Sequence, residues 1–86
     1  MHFMSYYTYI LESLSTGRLY IGQTNNLKDR IDRHNSNRNL STRNKGPWRL
    51  IYSARFNTRA EAVQLEKQLK TWKNPTRIRS WIERQG

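Results

Sequence analysis

Five side chains of this sequence could together cut a phosphodiester with one metal ion: Tyr9, Tyr20, Arg30, His34 and Glu66. A phenol can orient or deprotonate a water, and an imidazole can hydrogen-bond either of them. A guanidinium can grip phosphate oxygens through two parallel bonds. A carboxylate can hold the metal. Each residue also has a bland explanation. Tyrosines are good strand formers. A lone arginine commonly pairs with Asp or sits in solvent, and His34 could be a half-buried surface histidine.

Glu66 is the most telling of the six acids. At about 100° per residue, Ala62 and Leu69 lie within about 60° of it on a helix. It therefore projects at the edge of the apolar side, where a carboxylate is costly unless paired or bound to metal. An ion pair with Arg30 or Lys70 would satisfy it as well. The other acids have simpler readings: Glu61 as a cap partner, Asp29 and Asp32 in a helix full of Arg and Lys, Glu12 and Glu83 near element ends. They form no cluster, so a site with two metals held by carboxylates is not expected.

The elements that must position these groups follow from the local pattern. Tyr6 to Ser13 is rich in aromatic and β-branched residues and predicts a strand. Ser13 to Gly17 predicts a turn, with Gly17 free to take positive φ. Leu19 to Thr24 predicts the second strand of a hairpin. With Leu14 to Gly17 as the loop, Ser13 opposes Arg18, Leu11 opposes Tyr20 and Tyr9 opposes Gly22. Opposed residues share a face, so Tyr9 and Tyr20 would lie on one side, with Gly22 leaving room beside the Tyr9 ring. A slip of one residue would separate them.

Asn25 or Asn26 can cap a helix from Leu27 to His34. Its apolar stripe is thin, Leu27 and Ile31, and places Arg30 and His34 four residues apart at its margin. Asn35 to Pro47 is polar and basic and predicts a loop. Trp48 to Phe56 predicts a third strand. Thr58 and Glu61 form a capping box for a helix reaching about Trp72, with Ala62, Val63, Leu65, Leu69 and Trp72 on its apolar side. Asn74-Pro75 opens a last helix, docked by Ile78, Trp81 and Ile82. The expected fold is α/β, of the α+β kind: a three-stranded antiparallel sheet flanked by three helices in the order ββαβαα. Helices must cover at least one face of so small a sheet.

At 86 residues the chain is expected to form a single domain over 1–86, burying only about 60–65% of its unfolded surface. Sixteen Lys and Arg against six Asp and Glu give a net charge of +10. That favours a polyanionic partner, nucleic acid ahead of a membrane. Lys28, Arg33, Arg38, Arg43 and Lys45 are the candidates to grip a backbone, contacts that bind without reading sequence. No segment is apolar enough to span a membrane. The absence of cysteine excludes disulfides, thiolate zinc sites and thiol catalysis. With no secretion signal evident, a cytoplasmic monomer is the expectation.

Tyr7-Thr8-Tyr9-Ile10-Leu11, Leu19-Tyr20-Ile21-Gly22-Gln23-Thr24, Leu27 to Arg30, His34-Asn35, Trp48 to Tyr52 and Glu61 to Lys70, at these spacings, resemble the GIY-YIG nuclease superfamily. The resemblance runs from Tyr6 to about Ile82. It is to small standalone members related to the nuclease module of the bacterial excision-repair incision subunit. It implies that Tyr9 and Tyr20 are the motif tyrosines, Arg30 the helix arginine, His34 the residue one turn later, and Glu66 the ligand of one divalent ion, magnesium or manganese. It implies a metal-dependent endonuclease acting on DNA, in repair or recombination, with RNA as a further candidate substrate. The first motif departs from the family in reading Tyr-Thr-Tyr. The late asparagine of several active members has no clean match: Asn74 comes too early and Ile78 stands near its place. The alternative is a nucleic-acid-binding module that keeps the fold without the chemistry. A partner protein for substrate selection is a third expectation, since so small a domain has little surface for reading a branched substrate.

Overall fold

The computed structural model describes residues 4–39 and 42–85. Strands β1 (Tyr6–Ser13) and β2 (Leu19–Thr24) come first, then helix α1 (Leu27–Asn35), strand β3 (Trp48–Phe56) and helices α2 (Arg59–Trp72) and α3 (Pro75–Gln85). The sheet is antiparallel with the order β2-β1-β3, as the sequence predicts.

The hairpin register is the expected one: Leu11 faces Tyr20 and Tyr9 faces Gly22. Its loop is closed by the Ser13 and Gly17 amides, which donate to the Arg18 and Ser13 carbonyls at 2.8 and 2.9 Å. Gly17 takes φ 76°, a conformation costly for any residue with a Cβ. On the other side β1 pairs with β3, and the register shifts between Ile10 and Leu11, a local irregularity that raises twist.

Alternation along β1 divides the interior. Ile10 and Ile21 pack with Leu69 and Ile78 on the face covered by α2 and α3. Tyr9, Leu11 and Trp48 pack on the opposite face with Tyr20, Leu27 and Ile31, under α1. Fully burying residues such as Ile10, Leu11 and Leu69 stabilises by about 1.5–3 kcal/mol each. Both faces are thus covered, more than the sequence argument required.

The helix starts are built as expected. Asn26, rather than Asn25, caps α1 by accepting from the Asp29 amide at 3.1 Å. Thr58 caps α2 by accepting from the Glu61 amide, and its hydroxyl also donates to the Glu61 carboxylate at 2.8 Å. Asn74 Oδ1 accepts from the Thr76 and Arg77 amides at the head of α3. Glu12 pairs with Arg49 on β3 and Arg79 on α3. Among the described residues no helix is long and apolar enough to cross a membrane.

Candidate active site

Tyr9 and Tyr20 reach the same face of the sheet because their strands are paired in the Tyr9–Gly22 register. Their ring centroids are 6.3 Å apart. Gly22 makes this possible. A Cβ there would fall 2.6 Å from the Tyr9 hydroxyl oxygen and 3.1 Å from the Tyr20 ring, so only glycine leaves both phenols in place.

His34 joins them from the last turn of α1. Its ring centroid lies 4.5 Å from that of Tyr20, and Nε2 lies 3.0 Å from the Tyr9 hydroxyl. Its Nδ1 lies 2.8 Å from the Thr42 hydroxyl. The sequence placed His34 at the margin of α1's apolar stripe, but it is completely buried. The correction has a physical reason: two hydrogen-bond partners satisfy both ring nitrogens, so burial carries no orphaned group. Burial lowers the His34 pKa to about 4, with Arg30 and then Arg33 pushing the same way. The ring is therefore neutral at pH 7, donating through one nitrogen and accepting through the other.

Burial also raises the Tyr9 phenol pKa well above its ordinary value. Tyr20 and Glu66 add to the rise and Arg30 opposes it. Tyr9 is held as a neutral phenol at the back of the site. Tyr20 is only half-buried and forms its open side. The structure thus brings Tyr9, Tyr20 and His34 into contact, while the charges of Arg30 on α1 and Glu66 on α2 act on the Tyr9 phenol from their own helices.

Arg30 stands one turn before His34 on α1, and its Nε is buried without a hydrogen-bond partner among the described residues. A buried guanidinium nitrogen with nothing to donate to costs about 1–3 kcal/mol or more, and a phosphate oxygen would satisfy it. Glu66, on α2, is largely buried and accepts from Lys70 Nζ at 2.8 Å, an i,i+4 pair. Of the two ion-pair partners the sequence offered, the structure uses Lys70. Among the described residues no group of three or more His, Asp or Glu side chains could enclose a metal.

The backbone-gripping candidates lie on α1 and in the loop that follows it. Lys28, Arg33, Arg38 and Arg43 are exposed on α1 and the loop after it, and Arg38 Nε donates to Ser36 at 2.8 Å. Lys45 is half-buried, and its carbonyl accepts from the Ser13 and Ser15 hydroxyls. Thr42 escaped the sequence reading altogether. It is buried in a polar loop, and its carbonyl also accepts from Trp48 Nε1 at 3.2 Å. No periodicity marks such a residue. The only available signal was its hydroxyl type.

Comparison with known proteins bears on the family of the chain. The family model described as the GIY-YIG catalytic domain matches residues 5–79. A UPF0213 protein of Bacillus pumilus is 41% identical over 69 residues, covering 79% of this chain and 69% of its own. One from Staphylococcus aureus is 30% identical over 81 residues, covering 93% and 98%. The solution NMR structure of a UPF0213 protein from Bacillus halodurans is similar at 36% identity with a TM-score of 0.50, covering 79% of this chain and 72% of that one.

Proposed function

The chain belongs to the GIY-YIG nuclease family, and from that premise we propose that it is an endonuclease that hydrolyses DNA phosphodiester bonds with the help of one divalent ion. The observation that carries the reading is the contact of Tyr9, Tyr20 and His34 on one face of the sheet, with Arg30 Nε, one turn before His34 on α1, buried and without a partner among the described residues.

Glu66 is the residue that would hold the ion. A single carboxylate suits magnesium or manganese, which keep several waters and share the rest of their sites with phosphate oxygens. Among the described residues no group of three or more His, Asp or Glu ligands stands beside it, so water and phosphate oxygens would fill most of the ion's coordination. Lys70 would yield the carboxylate at small cost, an i,i+4 pair being worth about 0.3–0.5 kcal/mol. Bound there, the ion supplies charge neutralisation at the phosphate and at the leaving 3′ oxygen.

The remaining roles belong to the chain itself. Arg30 holds the phosphate and offsets the negative charge that builds on it in the transition state. Tyr20, on the open side, orients the attacking water and would take up its proton as the phenolate, a form that needs a neighbouring cation such as Arg30 or the bound ion. Tyr9 is the weaker candidate for that work: a buried phenol with a raised pKa keeps its proton. It serves as a fixed neutral group whose position His34 sets through the 3.0 Å contact. Lys28, Arg33, Arg38, Arg43 and Lys45 supply sequence-independent attraction for the backbone.

Nicking of supercoiled plasmid tests the proposal. Wild-type protein should cut with Mg²⁺ and not with EDTA, and Glu66→Gln and Arg30→Ala should each abolish cutting while remaining folded. Metal-independent cutting, or a fully active Glu66→Gln variant, would overturn it.

A further inference from the structure

A concavity lies against the open edge of β2, where the start of α3 meets α2. It holds about 420 Å³ and is lined by Arg18, Tyr20, Leu69, Lys70, Lys73 and Ile78 among others. Leu19 and Pro75 form an apolar floor, with Leu69 and Ile78 buried in the interior beneath it. Arg18, Lys70 and Lys73 place three cations on its rim. Tyr20 joins it to the site described above, and Lys70 also touches the Glu66 carboxylate at 2.8 Å.

Lys73 sharpens this picture. It ends α2 in the left-handed conformation, φ 51° and ψ 22°. Helices that end this way usually place glycine there, because a Cβ is disfavoured. A lysine in that position is unfavourable for the backbone alone. A non-glycine residue in such a region is a pointer to function, and here its side chain lines the cationic rim.

We propose that this groove is a nucleotide subsite: it takes one unstacked nucleotide next to the cut phosphate, its base on the Leu19–Pro75 floor and its phosphate on the Arg18–Lys70–Lys73 rim. The inference rests on the nuclease reading for its placement along the strand. An apolar floor under a cationic rim is complementary to a nucleotide, which carries a flat apolar base and an anionic phosphate within a few ångströms. A volume of about 420 Å³ is within the range of small-ligand sites and far too small for a paired, stacked duplex. A base in a duplex is unavailable to such a floor until it is unpaired. The substrate class that follows is a strand with an unpaired nucleotide beside the cut: an overhang, a flap or a splayed junction.

The test is binding in EDTA, with no turnover involved. Titration of the ¹⁵N-labelled protein with thymidine monophosphate should move the Leu69, Lys73 and Ile78 amides. Lys73→Gly and Arg18→Ala should weaken that binding about tenfold in combination, and should lower the salt slope of oligonucleotide binding by about 1 to 2. Lys73→Gly suits the left-handed cap, so its thermal stability should be equal to or above wild type, which separates lost binding from lost folding. An overhang oligonucleotide should bind more tightly than a blunt duplex in wild type, and this preference should vanish in the double variant. Absence of shifts at the groove, the same shifts with inorganic phosphate alone, or unchanged binding in the double variant would each overturn the subsite. A protein that binds the nucleotide there and cuts nothing keeps the subsite and sinks the nuclease assignment. One that cuts DNA without binding it there does the reverse.

Discussion

The Tyr9 hydroxyl and His34 Nε2 stand 3.0 Å apart in the interior, brought together from the central strand and the first helix. Neither group is charged at pH 7: burial raises the phenol pKa and lowers that of the imidazole to about 4. A second contact, from Nδ1 to Thr42 at 2.8 Å, completes the line. The back wall of the site is therefore a neutral, fully bonded column.

That arrangement fixes a pH dependence. The folded His34 binds its proton less readily than the unfolded chain, whose imidazole titrates near 6.5. Between about pH 6.5 and 4 the unfolded state holds more protons, so stability rises with pH there and falls on acidification. Thermal melts across pH 4–8 should show the melting temperature dropping below pH 6.5. His34→Gln should flatten that drop. Cleavage should show no limb near 6.5 attributable to His34.

Gly22→Ala should destabilise. The new methyl would lie 2.6 Å from the Tyr9 hydroxyl oxygen and 2.7 Å from its Cζ, and that ring is 1% exposed with no free direction to move. Overpacking of this kind costs about 1–3 kcal/mol. Denaturant midpoints and plasmid nicking should fall together.

Thr42→Val keeps the shape and removes the hydroxyl that faces His34 Nδ1. One buried ring nitrogen is then unpaired, at a cost of about 1–3 kcal/mol. Thr42→Ser should restore most of the loss. Nitrogen chemical shifts of His34 should report a changed tautomer balance in the valine variant, a signature that simple loosening of the loop would not give.

Arg30→Lys should lower the cutting rate by about 10²–10³, the scale of losing one preorganised charge-stabilising group. An ammonium keeps the charge but not the planar fork. Single-turnover cleavage beside a binding titration should assign the loss to the chemical step.

The strands and helices were legible in the sequence to within a residue because each carries its own punctuation: Gly17 after Ser13, Asn26 before Leu27, Thr58 with Glu61, and Asn74-Pro75. The short loop also set the hairpin register, and with it the shared face of Tyr9 and Tyr20. Arg30 was legible by its spacing on α1. The burial of His34 was not, because a thin stripe of Leu27 and Ile31 leaves the depth of the next turn undetermined. That depth comes from Thr42 and Trp48, which the polar loop brings back over the helix. The groove beside β2 depends on the angle between α2 and α3, and no one-dimensional pattern encodes that angle.

Strand β1 carries Tyr9 at 1% exposure and Ile10 at 0% on its two sides. Adjacent positions of one strand thus answer to different demands. Drift at Thr8 and Ile10 is judged by cohesion with the rear helices, and drift at Tyr9 and Leu11 by the shape of the reaction chamber. A lineage that abandoned catalysis would relax the second set while holding the first. The ratio of change between odd and even positions of this one strand would then date the loss of chemistry in any descendant.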